Sequence, residues 1–163
     1  MKCLVLLLFF SMAVSGQTKN QDVFAPIPEA LRSRLVERLR LLIEYQRDQQ
    51  WEDQYKMVSL LITQGEDKDH YVKRLEQLYA KGLGDLLLGF APKSVTYQPG
   101  GPSDAVIFGC AKLKKNGTIQ ELYASVEAYR EKEDWYFSPI GVITAVGGKP
   151  EPCPYFNSSV KSP

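Results

Sequence analysis

The sequence predicts an α+β fold in which N-terminal helices pack on a curved antiparallel sheet. Three observations lead there. Leu31, Leu35, Leu39, Leu42 and Ile43 recur at helical spacing and form one apolar stripe. Residues 105–115, 118–130 and 135–143 are rich in the β-branched and aromatic side chains that suit strands. Asn116-Gly117 separates the first two of these runs, and a two-residue type I′ turn needs positive φ at both central positions.

The chain opens MKCLVLLLFFSMAVSGQ: Lys2, an apolar run from Leu4 to Phe10, then the small residues Ser15 and Gly16. This is the layout of a secretory signal peptide over residues 1–16, too short for a membrane span, with cleavage before Gln17. An uncleaved anchor is the alternative. Export makes the expected location secreted or periplasmic. Residues 17–27 are polar and aperiodic, a flexible lead-in; 28–146 form the domain and 147–163 a loose C-terminal tail.

Losing Lys2 with the leader leaves nineteen basic against nineteen acidic residues. Nucleic-acid and membrane-surface binding both need a clustered positive excess, so neither is expected. Cys3 also departs, leaving Cys110 and Cys153. In an exported chain their expected state is a mutual disulfide, with an intermolecular bridge and unpaired thiols as the alternatives. Two cysteines and one histidine do not make a zinc site, and no metal or cofactor is expected.

Ile27-Pro28 starts the first helix, because proline at the first turn loses no hydrogen bond and Glu29 suits the positive helix end. Arg32, Arg34, Arg38 and Arg40 lie largely off its apolar stripe, as a solvated face or, alternatively, an anion-binding strip. The helical pattern continues or restarts through Trp51, Tyr55, Val58 and Leu61/Ile62 and stops at Gly65. A further helix, capped by Asp67 or Asp69, carries Tyr71, Leu75, Leu78 and Tyr79 and ends at Gly82. Residues 94–98 are a short strand before the Pro99-Gly100-Gly101-Pro102 loop.

A two-residue turn at Asn116-Gly117 sets the register of the hairpin. Leu113 then faces Gln120, Ala111 faces Leu122, Gly109 faces Ala124 and Ile107 faces Val126, an apolar row on which helices pack. The other row pairs Lys112 with Glu121, Cys110 with Tyr123, Phe108 with Ser125 and Val106 with Glu127. A second turn near Lys132-Glu133 places Tyr129 opposite Tyr136 on that same row. Phe108, Tyr123, Tyr129 and Tyr136 thus define an aromatic partner face, suited to a homodimer or to cover by the tail. Asn116 and Asn157 each begin an Asn-x-Ser/Thr sequon, a glycosylation acceptor if the source glycosylates.

The run QWEDQYKMVS, the helix DKDHYVKRLEQLYA and the late strand DWYF at residues 134–137 resemble the nuclear-transport-factor-2-like superfamily, a cone of helices on a curved sheet. The resemblance spans about residues 28–146. It implies a cavity between the concave sheet face and the helices, with Trp51, Tyr55, Ala124, Val126, Trp135 and Phe137 as lining. Members include isomerases and dehydratases as well as non-catalytic binding domains, so the fold sets no reaction. The inner row of the hairpin carries no ionisable side chain, which favours binding of a small apolar ligand, or of a protein through the sheet. The alternative is a small lyase or isomerase using Asp53 or Tyr55. His70, beside Glu66, Asp67 and Asp69, reads as an exposed residue in a helix first turn.

Overall fold

The computed structural model describes residues 22–82, 84–115, 117–142 and residue 153. Four helices precede all the strands: α1 (Glu29–Arg47), α2 (Trp51–Tyr55), α3 (Leu60–Thr63) and α4 (Lys68–Ala80). They pack against a curved, open antiparallel meander of β1 (Leu86–Tyr97), β2 (Ala105–Lys115), β3 (Thr118–Glu131) and β4 (Asp134–Phe137). The short β5 (Gly141–Val142) continues along the β4 edge of β3, pairing with Ala124 and Ser125. The α+β class is as expected.

Helix α1 begins after Pro28 with Glu29 in its first turn, and buries Leu35, Leu39 and Leu42 completely. Residues 22–27, within the segment expected to be a flexible lead-in, form a turn instead. Ile27 is buried and Val23 and Phe24 pack on the core, so apolar burial offsets the entropy of ordering them. Arg32 secures the turn, reaching the Asp22 carboxylate at 2.7 Å and the Ile27 carbonyl at 3.0 Å.

The helical pattern does restart rather than continue. Gln49 takes φ 56°, breaking the chain between α1 and α2, and Gln64 and Gly65 at φ 52° and 80° end α3. Between α2 and α3, Val58 bridges Phe137 of β4 in parallel, with the Phe137 amide on Met57 O at 2.9 Å and the Ser59 amide on Phe137 O at 3.0 Å. Leu60, Leu61 and Ile62 point outward, because this tie to the sheet turns the short α3 away from the core. Asp67 caps α4 by accepting from the His70 amide at 3.0 Å.

The β2–β3 register is the one set by the Asn-Gly turn, from Lys115 opposite Thr118 through Ala105 opposite Ala128. Lys132 and Glu133 both take positive φ, and Tyr129 pairs with Tyr136. Strand β1 is longer than the expected residues 94–98. Its first half contains Gly89 and Pro92, which interrupt a strand pattern in sequence, and here both stand beside register shifts that absorb them. At Gly109 the two strands approach so closely that a Cβ would collide with the Ala91 carbonyl and stand 2.8 Å from the Phe90 ring.

The arginines of α1 are consumed by structure. Arg34 grips the Asp134 carboxylate through two bonds of 3.0 and 2.9 Å; Arg38 adds a contact at 3.0 Å and donates to the Trp135 carbonyl at 2.6 Å. The Arg34 hydrogen bonds, more than any other influence, hold the Asp134 carboxyl below its ordinary range. A carboxyl depressed in the folded state stabilises above its unfolded value, near 3.9, and that contribution disappears as pH falls through the folded value. Asp134→Asn is therefore expected to cost about 1 kcal/mol at pH 7. Urea denaturation at a series of pH values should show the two proteins converging below about pH 4.

Candidate functional site

The concave face of the sheet is filled. Val126, Trp135 and Phe137 are at most 1 % exposed and pack with Ile107, Ala128 and Leu35; Ala124 is equally buried against Leu87, Ala111 and Leu113. Side chains this completely covered leave no water-sized space beside them. Among the described residues the fully buried polar ones are Gln54, Ser59 and Thr63, so no carboxylate, histidine, lysine or arginine lies in the interior.

The groups named for acid–base work sit elsewhere and are engaged. Asp53 is half-exposed and paired with Lys56 at 2.7 Å, while the Tyr55 hydroxyl donates to the Glu66 carbonyl at 2.7 Å. His70 is exposed, with Nδ1 2.9 Å from the Glu66 carboxylate, which also receives two bonds from Arg74. That Arg74 grip draws the Glu66 carboxyl below its usual range. Among the described residues no cluster of three or more His, Cys, Asp or Glu has metal-holding geometry.

Space for a ligand lies at the margin of the helix layer. A groove of about 480 Å³ runs between α1 and β1, walled by Val36, Leu39, Ile43, Leu88 and Phe90 and edged by Arg40, Glu44 and Arg47. Leu39 and Ile43 from the apolar stripe of α1 meet Leu88, Gly89 and Phe90 from the bulged first half of β1 there. A second, smaller pocket of about 270 Å³ lies where α1, α2 and α4 meet, and Trp51 is on its wall. Of the six residues expected as lining, Trp51 lines this pocket and Tyr55 a shallow one near Glu131, while the other four belong to the packed core.

The outer face of the sheet carries Phe108, Tyr123, Tyr129 and Tyr136 together. Phe108 and Tyr123 stack with ring centroids 6.4 Å apart, and Arg38 lies over Tyr136 at 5.1 Å. Tyr129 is buried, its hydroxyl on the Glu127 carboxylate, and burial above all raises its pKa. Cys110, opposite Tyr123, is bonded to Cys153, whose Cα lies 5.7 Å away and whose amide donates to the Glu121 carbonyl at 3.3 Å. Residue 153 thus lies on this face. The sequon residues Asn116 and Asn157 lie outside the described residues, as do residues 1–16, expected as a leader, and the rest of the expected tail.

The geometry defines an α+β domain with a filled core and pockets at its margin, and among the described residues no helix is long and apolar enough to cross a membrane. No protein-family model matches the chain, and no curated protein matches it. Gln46 and Gln54 escape sequence reasoning although both line the helix pocket, because a glutamine in a polar helical run carries no signal of burial. The groove was half visible: the apolar stripe of α1 is legible, its meeting with the bulged half of β1 is not.

Proposed function

We propose that this is an exported, non-catalytic binding domain of the nuclear-transport-factor-2-like kind, taking a small apolar molecule in the groove between α1 and β1. The observation that carries the reading is the contrast between interior and margin. The inner sheet face is occupied by apolar side chains, whereas the groove offers apolar walls and a volume within the range of small-molecule sites. A lyase or isomerase needs a tuned proton donor or acceptor in reach of an apolar site, and Asp53 and Tyr55 are both committed to other partners. Helices ahead of an antiparallel meander support the cone, and a buried disulfide supports an oxidising compartment.

Titrating the protein of residues 17–163 with the neutral fluorophore N-phenyl-1-naphthylamine should reveal one saturable site. Val36 is 40 % exposed, so Val36→Glu is expected to fold normally while placing a charge in the groove and weakening the dye at least about tenfold. Non-saturable binding, or binding indifferent to this substitution, would sink the reading.

A further inference from the structure

The groove between α1 and β1 is apolar along its walls and charged along one edge only. Val36 and Ile43 of α1 and Leu88 and Phe90 of β1 line it, all four partly open to solvent. Beside the α1 wall run Arg40, Glu44 and Arg47, whose spacings of four and three keep them on one line of the helix. The β1 side brings no charge. The rim therefore holds two guanidinium groups against one carboxylate, and an occupant meets apolar side chains along its length with a cationic margin on one side.

These charged groups are accessible: the side chains of Arg40 and Arg47 are 59 % and 47 % exposed. The arginines of α1 also divide by what they reach. Arg32, Arg34 and Arg38 bond to the turn at Asp22 or to β4 and hold the helix in place. Arg40 and Arg47 bond only to Glu44 and Asp48, four and one residues away, and exposed pairs of that kind add little to stability. Each keeps donors in hand. Arg40 uses Nη1 and retains Nε and Nη2, while Arg47 uses Nε and Nη2 and retains Nη1, with no further acceptor for either among the described residues.

The one opposing charge on the rim is covered. Glu44 is neutralised by Arg40, and Asp48, the partner of Arg47, is not part of the groove lining. Arg47 is thus the cation left facing an occupant. From Val36 to Arg47 the helix rises about 16 Å, room for an extended chain of about eight carbons with its head at Arg47. The negative end of α1 opposes an anion there only weakly, since at an exposed site the helix dipole is worth less than a direct guanidinium–carboxylate bond. Resting on the reading of the groove as a binding site, we propose that its occupant is an amphipathic anion, a medium-chain carboxylate. Its alkyl chain lies along Val36, Ile43, Leu88 and Phe90, and Arg47 holds its carboxylate while Arg40 keeps Glu44 neutral.

Calorimetric titration of the protein of residues 17–163 at neutral pH compares octanoate, 1-octanol and octylammonium, which share one chain and differ in head charge. Each is taken to about 3 mM, threefold above a millimolar Kd. Octanoate should bind saturably and roughly fivefold more tightly than 1-octanol, the ratio an exposed ion pair supplies, and octylammonium more weakly than either. Arg47→Gln should bring octanoate down to the level of 1-octanol and leave 1-octanol unchanged. Glu44→Gln should tighten octanoate, because it removes the negative charge on the rim. Both side chains reach solvent, so both variants should melt close to the wild type. Equal binding of octanoate and 1-octanol, each weakened by Val36→Glu, would overturn this proposal and leave the groove as a site for neutral apolar molecules. Tightest binding of octylammonium, or octanoate binding indifferent to Arg47→Gln, would overturn it as well. Absence of octanoate binding would do the same, and if N-phenyl-1-naphthylamine also fails to bind, the groove reading falls with it.

Discussion

Replacing Cys110 and Cys153 together by alanine is expected to lower the unfolding free energy by about 3–4 kcal/mol and the melting temperature by roughly 10 °C. The physical reason lies mostly in the unfolded chain. The bridge spans a sequence separation of 43, and a closed loop of that length removes conformational freedom worth about 4 kcal/mol from the denatured ensemble. The bridge also crosses from the middle of β2 to a segment beyond the last strand, so losing it frees residue 153 from the outer sheet face. Thermal unfolding of the wild type with and without reductant measures the same quantity. Reduced wild type and the double variant should melt together, well below the oxidised protein. Both cysteines are buried, at 0 % and 2 % exposure, so alkylation should consume neither in the folded, untreated chain. Two freely alkylated thiols there would rule the bridge out.

Trp135→Ala is expected to cost about 3–5 kcal/mol, measured by urea denaturation. Trp135 is 1 % exposed within the main core, and its indole N–H donates to the Leu31 carbonyl in the first turn of α1 at 3.3 Å. The side chain therefore fixes where α1 starts across the sheet as well as filling space. Trp135→Phe keeps much of the volume, and Leu31 O stays within the helix ladder, so this variant should lose less than half as much. The comparison bears on function too. A tryptophan lining an open ligand cavity would be removed at little cost, so a near-neutral Trp135→Ala would contradict the filled interior on which the binding reading rests.

Much of the architecture is legible in local chemistry. Asn116-Gly117 demands a two-residue turn, and that turn alone sets eleven cross-strand pairs and the inward row from Ile107 to Leu113. The stripe of α1 and the caps of α4 are equally local, since a helix face and an N-cap depend on residues three or four apart. What escapes local reading is everything decided by elements distant in sequence. Trp51 and Tyr55 both read as lining of one cavity, yet they line different pockets and the Tyr55 hydroxyl is spent on the Glu66 carbonyl, according to how α4 docks on α2. Leu61 and Ile62 read as stripe residues but face outward, because the Val58–Phe137 bridge rotates their helix.

By itself, then, the sequence determined the α+β class, the hairpin register and the face on which Cys110 stands. Each of these depends on patterns a few residues long, or on composition. Only the tertiary structure decided that the inner sheet face is filled, that ligand space lies at its margin, and that Gln46 and Gln54 come together where three helices meet. Those outcomes depend on how three helices and a bulged strand meet, and side chains brought together from opposite ends of such contacts leave no periodic mark on the chain that encodes them.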